Sequence, residues 1–165
     1  GSGNIGLTAS LPVITFCRER NKSDEQLYRA LFFSHLTTIH VKAKIGRLSA
    51  YCGPMCAAAA VAGAIGFVND FDFQTISNAI INTLGGVSGI VCDGANSSCP
   101  IKIANGTYAA YDGIAMAANG NVITVGDGIV GQDVEQTINN IAEMAQKGMD
   151  VTDKVILDIM TRDDI

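Results

Sequence analysis

The stretch "MCAAAAVAGAIGFV", residues 55–68, limits the possible folds more than any other. It is 14 residues long and carries no charge. Gly53-Pro54 stands just ahead of it, and Pro is favoured at the first position of a helix, so the run is predicted to be helical through to Asn69. A bilayer span needs about 20 apolar residues. This run is too short for that and must be buried inside protein. Its small side chains cover every face, so it needs neighbours on every side. A chain built around it has to supply several other helices. The 165 residues are enough for one domain with a core. With no Trp, 6% aromatic residues and 18 glycines, that core should rest on close contacts between small residues. At 48% hydrophobic and 16% charged, the chain reads as globular.

The remaining segments supply the neighbours. Residues 8–16 are apolar around Pro12 and predict a short helix or an extended lead-in. "SDEQLYRALFFSHLTTIHVKAK" predicts a helix started by a Ser23/Gln26 capping box and stopped at Gly46. Its apolar stripe is expected on Leu27, Ala30, Leu31, Leu36 and Ile39. A helix is expected over about 73–84, ending at Gly85-Gly86. Another should open at Cys99 or Pro100 and run to about Ala118, with a turn at Asn119-Gly120-Asn121. "NVITVGDGIVG" alternates weakly and predicts a short strand or hairpin near 121–130. "DVEQTINNIAEMAQKG" predicts a capped helix ending at Gly148, and "VTDKVILDIM" a last one. The fold class is therefore mainly α: a compact multi-helix domain with Gly-rich loops. Residues 1–165 form a single domain, with no internal repeat.

A net charge of −5 argues against a nucleic-acid partner. The one basic stretch, residues 40–47, reads as a solvated helix end. No segment predicts membrane association. Five cysteines is an odd count, and no secretory leader pattern precedes them, so the expected compartment is a reducing cytoplasm.

Four of those cysteines come in pairs, in "YCGPMC" and "CDGANSSC". Zinc knuckles usually space their pairs by two to four residues. Cys52 and Cys56 meet this, while Cys92 and Cys99, with six between, do not. A thioredoxin-like pair uses two intervening residues in a βαβ setting, and neither is present. Iron–sulfur clusters tolerate one ligand far from the others, and a catalytic one keeps an iron open, so three thiols suffice. Cys52 and Cys99 would each sit at a helix start, where free N–H groups favour thiolates. The Gly-rich link 85–94 would let backbone approach the sulfurs. Buried structural thiols remain the alternative.

The segments "RLSAYCGPMCAAAAVAGA", "NTLGGVSGIVCDGANSSCPIKIA" and "GDGIVGQDVEQTI" resemble the C-terminal part of the iron–sulfur-dependent L-serine dehydratase (alpha-type) / L-cysteine desulfidase family. The nearer branch is its single-chain bacterial, serine-dehydratase-like group. "GSGNIG" resembles that family's opening GSGN motif. The resemblance implies a C-terminal, cluster-binding catalytic part of a longer chain. It implies a [4Fe–4S] cluster on Cys52, Cys92 and Cys99, sensitive to oxygen, and no pyridoxal phosphate. It implies substrate contacts from Gly1, Ser2, Gly3 and Asn4. The reaction implied is α,β-elimination of L-cysteine or L-serine. The close Cys92–Cys99 spacing favours the desulfidase-like branch. The catalytic residue that takes the Cα proton is unknown from this sequence, so the chain alone is expected to be inactive.

Lys102 follows the last ligand by three positions and is a candidate for the substrate carboxylate, or else a solvated lysine. Cys56 and Cys17 read as core, His35 and His40 as helix-face residues, and Asp127, Asp133 and Glu135 as turn and helix-start acids. Expected partners are a small L-amino acid and a possible homodimer, with neither nucleic acid nor membrane. The rival reading is a non-enzymatic helical module stabilised by an iron–sulfur cluster or zinc.

Overall fold

A computed structural model describes residues 2–162, with nothing assigned to the Ser2 side chain. Helix α3 (Gly53–Val68) is the central element, and Phe67 is its sole residue that is not fully buried. Around it lie α1 (Ser2–Glu19), α2 (Asp24–Ile45), α4 (Phe73–Gly86) and α5 (Cys99–Ala118), all in contact with it. Its alanines and glycines leave no ridge, so four helices can approach one axis. Helix α6 (Val134–Glu143) packs on α2 and α4; a π-helical turn (Met144–Gly148) and α7 (Asp150–Met160) follow it. No helix among the described residues is long and apolar enough to cross a membrane.

The Ser23/Gln26 capping box forms as expected. Four features differ from the expectation. First, α1 is one helix of 18 residues that continues through Pro12. Proline forfeits one backbone bond, but Ala9, Val13 and Cys17 recur every four residues and are all buried. Second, the buried stripe of α2 is Ala30, Ser34, Thr38, Val41 and Ile45, while Leu36 and Ile39 are exposed. Small hydroxyl residues let α2 approach α1 closely. Ser34 Oγ donates to the Ala9 carbonyl at 2.8 Å, and Thr38 Oγ1 to the Ser34 carbonyl at 2.7 Å. Third, the helix expected to run to Gly148 changes to π geometry at Met144.

Fourth, residues 121–130 form turns and not a hairpin. A buried side chain takes the place of a partner strand for two of their backbone groups, and turn bonds serve others. Asn82 accepts from Ile123 N–H at 2.8 Å and donates to the Asn121 carbonyl at 3.0 Å. Gly126 and Gly128 sit at φ +86° and +63°, which bends the segment locally. Among the described residues the one β-type pairing is an isolated antiparallel bridge between Tyr51 and Val91.

Candidate functional site

The Tyr51–Val91 bridge joins the two cysteine segments across forty residues of sequence. Cys52 N–H donates to the Ile90 carbonyl at 3.2 Å, and Cys92 N–H to the Ala50 carbonyl at 2.6 Å. Cys52 is the N-cap of α3, with Pro54 in the first turn, and Cys99 opens α5. The loop between Cys92 and Cys99 folds around the second thiol. Asn96 N–H donates to Cys99 Sγ at 3.4 Å, and Cys99 Sγ–H donates to the Gly94 carbonyl at 3.6 Å. Gly94 takes φ +92°, which favours glycine. An ion pair between Lys102 and Asp93 ties the loop to the first turn of α5.

These segments wall a cavity of about 620 Å³, within the range of small-molecule sites. Cys52, Cys92 and Cys99 all line it. So does Asn4, on the first turn of α1. Helices α3 and α5 thus begin at this cavity, and helix N-termini carry partial positive charge. Lys42, Arg47 and Lys102 add three cations, while no Asp or Glu among the described residues lines it. A chain with net charge −5 therefore holds a cationic cavity.

Burial, with Cys92 and Cys99 adding to it, raises the Cys52 thiol to about 11, and Lys102 opposes the shift. Burial raises Cys56 to about 12. Cys56 is fully buried and does not line the cavity. Tyr51, 1% exposed, also forms part of the wall. Burial and then the neighbouring Cys56 and Cys52 hold its phenol protonated, and its hydroxyl has no hydrogen-bond partner.

This donor set fits a metal cluster. Three thiols line one cavity, Cys52 among them raised by burial, and a cationic metal would offset the charge of the thiolates that bind it. The buried Tyr51 hydroxyl is a donor without a partner among the described residues. Among the described residues no three His, Cys, Asp or Glu side chains converge on a single ion. A tetrahedral zinc site requires that convergence.

The chain matches the family model for the serine dehydratase alpha chain over residues 1–158. It belongs to that family. Several curated relatives carry the name UPF0597 protein. The one from Fusobacterium nucleatum subsp. nucleatum is 56% identical over 162 residues, covering 98% of this chain and 38% of the relative. That of Treponema denticola is 47% identical over 163 residues, covering 99% and 38%. That of Parabacteroides distasonis is 43% identical over 161 residues, covering 98% and 37%. This serine dehydratase alpha-chain family member thus spans under two fifths of the length of these relatives. No solved structure matches it.

Of the residues expected at the site, Cys52, Cys92, Cys99, Asn4 and Lys102 share the cavity. Gly1 lies outside the described residues; Ser2 begins α1; Gly3 is exposed and does not line the cavity. His35 bonds Ser10 at 3.1 Å, and His40 bonds Glu135 at 2.8 Å; neither lines the cavity. Lys44 also pairs with Glu135, at 2.6 Å, so this acid clasps α6 to α2. Asp133 is the N-cap of α6, and Asp127 lies in the turn before it. Lys42, Arg47 and Tyr51 were not anticipated. The signal for the first two was present, since residues 40–47 are the one basic stretch in an acidic chain and end five positions before Cys52.

Proposed function

We propose that this chain is the cluster-holding part of a lyase that performs α,β-elimination on a small L-amino acid. With L-cysteine the products are pyruvate, ammonia and sulfide; with L-serine they are pyruvate and ammonia. One observation carries the reading: three thiols from two distant segments line one cationic cavity, free of acids among the described residues, where helices begin. Cys52, Cys92 and Cys99 are the residues that would hold a [4Fe–4S] cluster. When bound through three protein ligands, such a cluster supplies a Lewis acid for the β-leaving group, without pyridoxal phosphate.

The chain's own residues prepare that chemistry. The Asn96 amide and the Gly94 carbonyl fix the direction of the Cys99 thiol. Ile5, Leu48 and Ala95 give the cavity an apolar wall that displaces water. Elimination breaks the Cα–H bond by transfer of its proton to a base, and the Cβ–O or Cβ–S bond as the leaving group departs. The enamine tautomerises to an imine, which water hydrolyses to the keto acid and ammonia. The cavity is lined by no carboxylate and no imidazole among the described residues. Because the chain spans under two fifths of its relatives' length, we place the base in the remainder of the full-length protein.

The test is anaerobic reconstitution of the full-length protein with iron and sulfide, followed by metal and acid-labile sulfide analysis. Cys52→Ser, Cys92→Ser and Cys99→Ser should each lose the cluster, and Cys56→Ser should keep it. The reconstituted protein should form pyruvate from L-cysteine or L-serine, and the 165-residue chain alone should form none. Zinc in place of iron and sulfide would support the non-enzymatic module instead.

A further inference from the structure

We propose that Lys42 and Arg47 form the anchor for the substrate carboxylate, at the α2 end of the cavity. This rests on reading the cavity as an amino-acid site. Three cations line the cavity. The Lys102 ammonium is already engaged by the Asp93 carboxylate. Lys42 and Arg47 have no acidic partner within ion-pair distance among the described residues. The nearby His40 and Lys44 side chains are both held by Glu135, outside the cavity. Lys42 and Arg47 are thus the two unneutralised charges that face it.

Their positions suit a shared anion. Lys42 is half-buried on the last turn of α2, and its ammonium is close enough to the α3 start to lower the Cys56 thiol against the effect of burial. Arg47 is exposed, just past the Gly46 cap. One cation therefore stands on the inner wall and one at the rim. A planar guanidinium can grip a carboxylate through two parallel hydrogen bonds, and an ammonium can add a third. The thiols lie along the α3 and α5 starts, so an amino acid held by its carboxylate at α2 can turn its Cβ toward them. Asn4 and Ser49, both on the wall, offer oxygens for the α-ammonium.

The test uses the full-length protein, with and without reconstitution, and calorimetric titration with L-serine, L-lactate and ethanolamine. L-lactate keeps the carboxylate and lacks the amine; ethanolamine is the reverse. L-serine and L-lactate should bind and ethanolamine should not. Lys42→Gln and Arg47→Gln should each weaken carboxylate binding about tenfold or more, the scale of a hydrogen bond to a charged group. Lys154→Met, an exposed change of equal charge on α7, should leave it unaltered. Arg47→Gln alters an exposed side chain and so tests the anchor even if Lys42→Gln unfolds the protein. Carboxylate binding by both variants at the wild-type level, ethanolamine binding as tight as L-serine, or no carboxylate binding by the wild type would overturn the anchor. Turnover is scored separately. A wild type that binds carboxylates through these two residues but never forms pyruvate refutes the lyase and leaves the anchor standing.

Discussion

Replacing Asn82 with Ala should destabilise the domain from a position well away from the cavity. Asn82 is 4% exposed and makes three hydrogen bonds. Its amide donates to the carbonyls of Gly113 on α5, at 3.2 Å, and of Asn121, at 3.0 Å. Its oxygen accepts from Ile123 N–H at 2.8 Å. At about 0.5–1.5 kcal/mol net for each bond, their loss costs about 3 kcal/mol. For a domain of this size, each kcal/mol lowers the melting midpoint by about 2–4 °C, so a fall of about 6–12 °C is expected. Urea denaturation should show a lower midpoint with an unchanged slope, because the same surface is exposed on unfolding. Amide exchange should quicken at Ile123 first. Asn82→Asp separates donor from acceptor: its carboxylate can still accept from Ile123 but faces two carbonyl oxygens, so it should be no more stable than Asn82→Ala at neutral pH. A midpoint within 2 °C of wild type for Asn82→Ala would show that water replaces all three bonds and that the side chain does not organise residues 121–130.

Gly113→Ala should cost about 1–3 kcal/mol by denaturant titration, the range for overpacking. Its Cβ would stand 3.0 Å from the Ala79 carbonyl oxygen and 3.2 Å from the Thr83 amide nitrogen, and backbone cannot rotate away. Cys56→Ser should cost about 1–3 kcal/mol by placing a hydroxyl in a fully buried apolar position. Glu135→Gln should narrow the stability gap to wild type as pH falls. Lys44 and then His40 hold the Glu135 carboxyl below its usual value, so its contribution is complete above the ordinary carboxylate range and is lost as pH drops through the lowered one. The gap at neutral pH should stay within about 1 kcal/mol, as for other exposed ion pairs. Urea midpoints measured from neutral to acid pH would check this.

Where the sequence could be read correctly, local chemistry and tertiary packing agreed. The α3 run was legible because small residues on every face permit only a central position, and Ser23 with Gln26 marked the start of α2 unambiguously. Cys52 and Cys99 were legible as helix starts because Pro follows each closely. The misreadings arose where a distant residue decides the outcome. Alternation in residues 121–130 suggested a strand, but the partner of that backbone is Asn82, some forty residues earlier. Leu36 and Ile39 looked like core because they are apolar, yet Ser34 and Thr38 are buried instead because small hydroxyl residues can bond helix carbonyls. Lys42 and Arg47 looked like a solvated helix end, since nothing within α2 shows that the cysteine segments close a cavity against it. Tyr51 gave no sign of its orphaned hydroxyl, which exists only once α2 and α3 are packed.

The bridge between Tyr51 and Val91 also bears on the order in which the proposed ligands engage. Backbone bonds from Cys52 to Ile90 and from Cys92 to Ala50 join two of the three proposed ligands without any metal. Cys99 would join that pair from a loop whose Asn96 amide and Gly94 carbonyl already hold its thiol. Six residues separate Cys92 from Cys99, and closure entropy rises only slowly with loop length. Small insertions between those two cysteines should therefore slow cluster assembly little, while any change that parts Ala50 from Cys92 turns a nearly complete chelate into separate, weak donors. Cys52 and Cys92 would meet a metal from a frame already joined by backbone, with Cys99 completing the set from its loop.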